Sequence, residues 1–166
     1  TFMAKPFPGI SGSGIHVHMS LLDDKGNNVF NNNTDLGSEM LKSAVAGILE
    51  NLVESTLIFA PHFNSYKRLR PGTHAPVNIC WGYENRTAAL RIPGGHNSAK
   101  RIEHRVAGAD ANPYLVLSSI LASVLDGIKN KKVPIDPVFG DTYRGKLAQI
   151  PQSWDQAIQS FGNSKV

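Results

Sequence analysis

Apolar and polar residues alternate along the first periodic segment of the chain, residues 15–21. Because neighbouring side chains of a strand point to opposite faces, this pattern predicts a strand with one apolar face. The other face carries His16, His18 and Ser20. A turn at 24–28 and a loop at 31–33 are predicted to follow.

Two longer segments repeat their apolar residues at the spacing of an α-helix. The first predicted helix covers 38–59, with Ser38 as its N-cap and Pro61 after its end. The second begins at Asn112 and Pro113, a cap followed by proline in the first turn. The predicted buried stripes are Leu41, Val45, Ile48 and Leu52 in the first helix, and Leu117, Leu121, Val124 and Ile128 in the second.

The middle of the chain supplies the remaining predicted strands. Alternation favours strands over 77–83, 86–92 and 101–105, with a turn at 84–85 between the first two. In the last of them, Arg101, Glu103 and Arg105 share a face. A capping box that starts at Ser153 predicts a final short helix ending near Gly162. Strands joined by turns, with helices grouped between them, indicate an α+β fold rather than a doubly wound parallel sheet.

Composition narrows the class of protein. The 166 residues suffice for one domain, and a mean hydropathy of −0.20 without a long uncharged apolar run excludes a membrane-spanning segment. The single cysteine, Cys80, excludes a disulfide framework. A net charge of +4 suits an anionic small ligand at least as well as nucleic acid. We expect a cytoplasmic location and, because the chain does not begin with Met, a piece of a longer protein.

Histidines and small residues near the start are candidates for chemistry. His16 and His18 are predicted to point the same way, and a neutral imidazole can ligate a divalent ion or hydrogen-bond a phosphate. The alternative is a solvent-facing pair. The small-residue loop at 9–14 would let backbone groups approach a ligand closely, although it matches no Walker or dinucleotide pattern. Its alternative is a flexible surface loop.

Arginines crowd the middle third of the chain. Guanidinium groups bind carboxylates and phosphates through paired hydrogen bonds and stabilise a phosphoryl group during transfer. Glu103, between two arginines of its strand face, is expected to be ionised and available to a metal. The alternative is a plain Arg–Glu–Arg ion-pair ladder. The arginines in question are Arg68, Arg70, Arg86, Arg91, Arg101 and Arg105.

Five ordered blocks of the sequence resemble the glutamine synthetase family. Residues 5–7 and 12–20 resemble its ATP-binding signature, and the other blocks cover 64–72, 85–93, 101–105, and 111–115 together with 125–128. The resemblance implies a ligase that uses ATP to join the γ-carboxylate of glutamate to ammonia or another amine through γ-glutamyl phosphate. It also implies Mg²⁺ or Mn²⁺ and a ring-forming homo-oligomer.

The resemblance further implies that residues 1–166 form a single partial catalytic domain with an antiparallel sheet. The family's small N-terminal β domain and its upstream metal-ligating segment would lie outside this chain. We therefore predict that the isolated 166 residues lack ligase activity and bind metal weakly.

Individual roles follow from the resemblance, residue by residue. The implied metal ligands are His16 and Glu103. The residues implied near ATP and its phosphates are His18, Ser20, Arg86, Arg91 and Arg101. Those implied near glutamate are Ser11, Gly12, Arg68, Arg86 and Arg105. The residues implied in catalysis are Arg86, Arg105 and His74.

His74 departs from the family pattern, because the family usually has a glutamate there that is associated with deprotonating ammonium. A neutral imidazole binds a cation poorly but can accept a proton, which disfavours ammonia as the acceptor and leaves room for a larger amine, as in γ-glutamylpolyamine synthetases. Ser11 stands in place of an asparagine that contacts glutamate, and Ser98 in place of a nucleotide-side lysine.

Two other functions compete with the ligase. One is a related protein that has lost activity and serves as a binding or scaffold protein, which His74 favours and the retained histidine, glutamate and arginines oppose. The other is nucleic-acid binding, which is disfavoured because no recognised motif is present and only 8% of residues are aromatic.

Overall fold

Four short strands form one sheet at the centre of the computed structural model, which describes residues 1–164. The strands are β1 Val17–Met19, β2 Trp81–Tyr83, β3 Leu90–Ile92 and β4 Ile102–His104. Their order in the sheet is β1-β4-β3-β2, and β4 is antiparallel to both of its neighbours. The α+β fold with a mostly antiparallel sheet is therefore confirmed.

The pairing of β2 with β3 differs from the prediction, because the two strands are parallel rather than joined as a hairpin. Glu84 adopts a left-handed φ of 54°, and residues 84–89 carry the chain back to the end of the sheet at which β2 began. The side-chain nitrogen of Asn85 fixes this loop by donating to the carbonyls of Val138 and Gly140, at 2.9 and 3.0 Å. The predicted strand at 86–92 therefore begins only at Leu90.

The other strands are also shorter than predicted. Before β1, the backbone follows the neighbouring segment through separate contacts, such as the Ile15 N–H donating to Ala107 O at 2.9 Å and a bridge between Gly14 and Gly108. These bonds continue the chain's path beside β4 without forming a regular ladder.

Five α-helices accompany the sheet: α1 Glu39–Glu50, α2 Leu52–Phe59, α3 Ser65–Arg68, α4 Pro113–Lys129 and α5 Trp154–Gly162. The prediction of one helix over 38–59 is wrong, because the helix breaks at Asn51. The Asn51 side chain donates to the Gly47 carbonyl at 3.1 Å, a local bond that competes with helical pairing. Residues Asn97–Ala99 and Thr142–Arg144 form single 3₁₀ turns.

Three predicted caps are present. The Ser38 hydroxyl accepts from the Leu41 N–H at 3.2 Å, and Oδ1 of Asn112 accepts from the Tyr114 N–H at 3.0 Å. The Ser153 hydroxyl accepts from the backbone N–H of Gln156 at 3.3 Å. Each cap satisfies an N–H that the first helical turn leaves unpaired.

The core confirms one predicted stripe and corrects the other. All four stripe residues of the first helix are buried, but Leu117 and Leu121 of α4 are exposed. The reason is the close crossing of α1 and α4 at Gly47 and Gly127, where a Cβ on either glycine would overlap backbone of the opposite helix. This contact turns a different face of α4 inward. That face carries Val116, Ile120 and Val124.

The two faces of the sheet differ in character. Leu90 and His104 point into the core, where the His104 ring lies 4.5 Å from the ring of Phe59. Their strand neighbours Arg91 and Glu103 point to the opposite, polar face. No helix of residues 1–164 combines the length and the apolar character that crossing a bilayer requires.

Candidate active site

Three polar side chains form a row across the open face of the sheet. His18 on β1 pairs with Glu103 on β4, which pairs with Arg91 on β3. Residues directly opposite one another on neighbouring strands point to the same face. The register therefore brings His18 beside two groups that are more than 70 residues from it along the sequence.

Glu103 is the centre of this cluster, and only 4% of its side chain is exposed. Its Oε1 lies 3.0 Å from Nδ1 of His16 and 2.9 Å from Nη1 of Arg105, and its Oε2 accepts from Nη1 of Arg91 at 2.8 Å. Nε2 of His18 is 3.8 Å from the same Oε1. The predicted meeting of His16 and Glu103 is confirmed, and the ion-pair partners of Glu103 are Arg91 and Arg105 rather than Arg101.

The cluster favours an ionised glutamate beside a neutral histidine. Burial opposes ionisation of Glu103, but the hydrogen bond from Arg91 and the charges of Arg105 and Arg91 outweigh it and lower the pKa of the carboxyl. Burial, followed by the charge of Arg105, lowers the pKa of His16, although Glu103 acts in the opposite direction. At neutral pH, His16 therefore offers a lone pair and Glu103 a negative charge.

A cavity of about 400 Å³ opens beside this cluster. A volume of that size is typical of small-molecule sites. The lining includes every residue predicted to contact glutamate, act in catalysis or ligate metal. It is formed by Ser11, Gly12, Gly14, His16, Arg68, Thr73, His74, Ala75, Arg86, Glu103 and Arg105.

Arg68 forms the floor of the cavity beneath the small-residue loop. Its Nη1 donates to Val106 O at 2.7 Å, and burial lowers its pKa to about 10, which leaves it protonated at neutral pH. A Cβ at Gly12 or Gly14 would overlap with Arg68 or with the backbone at Ala4. The glycines of this loop therefore allow the chain to cross close above a buried cation.

His74 and Arg86 lie at the exposed rim of the cavity. His74 has a left-handed φ of 62°, an uncommon conformation for a residue other than glycine. The preceding Thr73 hydroxyl lies 2.5 Å from the Arg68 carbonyl oxygen. The backbone of Arg86 is also fixed, because its carbonyl accepts from Nη2 of Arg105 at 2.7 Å.

The residues predicted to contact the nucleotide do not line the cavity, with the exception of Arg86. Nε of Arg101 donates to Nδ1 of His18 at 3.2 Å, and Arg91 lies on the far side of Glu103. Ser20 follows β1 directly and is exposed. The predicted site thus has two regions that meet at Glu103: the cavity, and a neighbouring polar face with His18, Arg91 and Arg101.

His16 and Glu103 fit two positions around a divalent cation. Nδ1 of His16 and Oε1 of Glu103 lie 3.0 Å apart, which is the distance of a direct hydrogen bond and also that between adjacent ligands at about 2.1 Å from an octahedral ion. The neutral imidazole and the ionised carboxylate are also the required protonation states. Within residues 1–164, no group of three or more His, Cys, Asp and Glu side chains is placed to hold a metal.

Sequence reasoning missed two residues of the site. Thr73 lines the cavity, and Glu84, assigned only to a turn, bonds to Arg91 at 3.1 Å. The sequence gives no signal for Thr73. An acid in a loop next to arginine-bearing strands was a possible signal for Glu84, but its contact depends on the path of the β2–β3 loop.

Comparison with known proteins identifies the family. The profile of the glutamine synthetase catalytic domain matches residues 1–166. The chain belongs to the glutamine synthetase family. This family comprises ATP-dependent γ-glutamyl ligases, and the predictions of the family and of its catalytic-domain fold are confirmed.

Individual glutamine synthetase relatives agree with this assignment. The chain is 46% identical over 161 residues to γ-glutamylputrescine synthetase of Escherichia coli (strain K12), covering 97% of this chain and 34% of that protein. It is 45% identical over 175 residues to a glutamine synthetase of Thermotoga maritima, covering 100% of this chain and 40% of that protein. A solved GmaS–ADP complex superposes with a TM-score of 0.90 at 32% identity, covering 99% of this chain and 40% of that one. The chain thus spans little more than a third of the length of these relatives.

Proposed function

We propose that the protein containing this chain is an ATP-dependent ligase that joins the γ-carboxylate of glutamate to an amine. Residues 1–166 would be a partial catalytic domain, completed by an N-terminal β domain and by neighbouring subunits of a cytoplasmic ring. The observation that supports this proposal most directly is the position of Glu103. Its carboxylate lines the cationic cavity and also contacts Arg91 on the neighbouring polar face.

Glutamate would bind in the cavity. Arg68 and Arg105 are buried cations there, and a guanidinium binds a carboxylate through paired hydrogen bonds. Because Gly12 has no side chain, the backbone of residues 11–12 would be accessible to the bound glutamate. Arg86, exposed at the rim, lies where it can meet the end of the substrate that reacts.

ATP would bind on the polar face, with its phosphates directed toward Glu103. In the first step, an oxygen of the glutamate γ-carboxylate attacks the terminal phosphorus, and the bond to ADP breaks. In the second, the amine nitrogen attacks the acyl carbon and phosphate leaves. Arg86 and Arg91 supply positive charge to the phosphoryl group during transfer. His18, Ser20 and Arg101 would hold the rest of the nucleotide.

His16 and Glu103 would hold Mg²⁺ or Mn²⁺ between the two regions. Such an ion neutralises the charge that develops on the phosphate oxygens. The chain's own contribution is to keep His16 neutral and Glu103 ionised, as their lowered pKa values indicate.

The acceptor would be an alkylamine larger than ammonia. His74 lines the rim as an imidazole, which can take the proton that the attacking amine must lose but attracts ammonium less than a carboxylate does. The 46% identity to a γ-glutamylputrescine synthetase supports the same class. Because the chain is also 45% identical to a glutamine synthetase, ammonium is included as the comparison substrate.

A product assay with the full-length protein tests the proposal. Glutamate, ATP and Mg²⁺ are offered with ammonium, ethanolamine or putrescine, and phosphate release and the γ-glutamyl amide are both measured. We expect turnover with at least one alkylamine above that with ammonium. The Glu103→Gln variant should lose turnover, while Glu39→Gln, whose side chain is 86% exposed and pairs with Lys42, should keep it. No amide with any amine would refute the ligase, and amide from ammonium alone would refute the alkylamine.

An inactive binding protein is the second candidate. It is favoured by the engagement of both Glu103 oxygens with arginines, which competes with a metal for the same lone pairs. A full-length protein that binds ATP without consuming it, with every amine tested, is the expected result for this candidate.

A further inference from the structure

Arg91 lies between two carboxylates that come from different parts of the chain. Its Nη1 donates to Oε2 of Glu103 at 2.8 Å, and its Nη2 donates to Oε2 and Oε1 of Glu84 at 3.1 and 3.2 Å. The Arg91 side chain is 12% exposed, whereas that of Glu84 is 58% exposed. The guanidinium is therefore held from the interior by one acid and from the solvent side by the other.

Glu84 is itself fixed at its backbone and at its carboxylate. Its left-handed φ of 54° is uncommon for a residue other than glycine and persists only where the surroundings determine it. Its Oε1 also accepts a hydrogen bond from the backbone N–H of Gly94, in the loop after β3. The Gly94 bond, and then the Arg91 bond, lower the pKa of Glu84, so the carboxylate is charged at neutral pH. Glu84 thus joins the β2–β3 loop, the loop after β3 and Arg91.

The second carboxylate matters because Arg91 has few other contacts. Nε of Arg91 is buried and has no hydrogen-bond partner within the described residues 1–164. Without Glu84, the guanidinium would be held at one nitrogen only, and one hydrogen bond leaves the planar group free to rotate about it. Two bonds at different nitrogens fix the plane.

We propose that Glu84 is a positioning residue that holds the guanidinium of Arg91 against Glu103, in the orientation needed for phosphoryl transfer. This inference rests on the proposed ligase function. Glu84 does not line the glutamate cavity, so it acts through Arg91 and not on glutamate. This positioning role explains why Glu84, an exposed acid, has a left-handed backbone conformation beside the site.

The experiment replaces Glu84 in the full-length protein by Gln, which keeps its size, and by Asp, which keeps its charge and suits a left-handed backbone. Glu39→Gln is the matched surface control, and circular dichroism verifies folding of each variant. We expect Glu84→Gln to lower kcat about tenfold, a loss of the order that misplacing a catalytic group produces, with the KM for glutamate unchanged. Glu84→Asp should recover part of the loss.

A double-mutant cycle with Arg91→Lys separates positioning from general stability. Because Glu84 acts through Arg91, Glu84→Gln should have little further effect on kcat in the Arg91→Lys background. Equal losses in both backgrounds would overturn the inference, as would an unchanged kcat in Glu84→Gln.

A crystal structure of the Glu84→Gln protein provides a readout that does not depend on turnover. We expect the guanidinium plane of Arg91 to rotate about the Nη1 bond to Glu103 that remains, so that Nη2 leaves its place beside residue 84. An unchanged orientation of that plane would overturn the inference. If the parent protein makes no amide with any amine, the proposed function fails, and this structure alone then decides whether Glu84 positions Arg91. If Glu84→Gln does not fold, Glu84→Asp decides, because its shorter side chain should weaken the contacts to Arg91 and Gly94. A lowered kcat with a reoriented Arg91 plane would support the inference, and an unchanged kcat with an unchanged plane would overturn it.

Discussion

Replacing Glu103 by Gln should destabilise the chain strongly, because two nearly buried cations would lose their shared counter-charge. The Glu103 side chain is 4% exposed, and it accepts hydrogen bonds from Arg91 and Arg105 at 2.8 and 2.9 Å. Gln keeps the size but presents an amide NH₂, which cannot accept, to one of these guanidiniums.

The magnitude follows from the burial of the partners. Removing one member of a buried ion pair typically costs about 3–5 kcal/mol, because it leaves an uncompensated charge. Here the two remaining guanidiniums also repel each other, and the group is part of a cluster with His16. For a domain of this length, about 3–5 kcal/mol lowers Tm by roughly 10 °C.

Urea unfolding of the 166-residue chain, followed by circular dichroism, measures this loss. Glu39→Gln is the control, since its exposed pair with Lys42 at 2.7 Å should contribute about 0.5 kcal/mol or less. A Glu103→Gln chain within about 0.5 kcal/mol of the parent would refute the reasoning, because it would mean that water reaches the arginines freely.

Two further predictions concern the core. The chain holds His104 fully buried with its pKa lowered from 6.5 to about 3 by burial, so the unfolded chain takes up the proton first as pH falls. Stability should therefore fall by about 2 kcal/mol between pH 7 and pH 5, and this dependence should flatten in His104→Leu, as urea titrations at several pH values would show. Gly127→Ala should cost about 1–3 kcal/mol, because its methyl group would overlap α1 backbone, whereas Gly162→Ala, with open space around it, should be neutral or stabilising. Equal thermal shifts for the two glycine variants would contradict the close crossing of α1 and α4.

The polar face of the sheet was predictable because it depends on local alternation. A period of two assigns His16 and His18 to one face and Glu103 to the matching face of another strand, and both end at the same cluster. Burial on α1 was predictable for the same reason. These are properties that a short stretch of residues determines by itself.

The features that escaped prediction depend on contacts between distant segments. α4 is apolar on more than one side, so its buried face is decided by the glycine crossing with α1 and not by its own periodicity. The parallel pairing of β2 with β3 depends on the loop that Asn85 holds against 138–140. Glu84 reaches Arg91 only because of that loop.

The two oxygens of Glu103 have separate neighbours, because Oε1 contacts His16 and Arg105 whereas Oε2 contacts Arg91. A carboxylate delocalises one negative charge over both oxygens, so a stronger bond at one oxygen draws electron density from the other. We therefore expect a ligand that draws His16 or Arg105 away from Oε1 to strengthen the bond between Oε2 and Arg91, and by reciprocity a phosphate that takes up Arg91 to change the affinity on the opposite side. On this reasoning, occupancy of one half of the centre should alter binding at the other half without movement of the backbone.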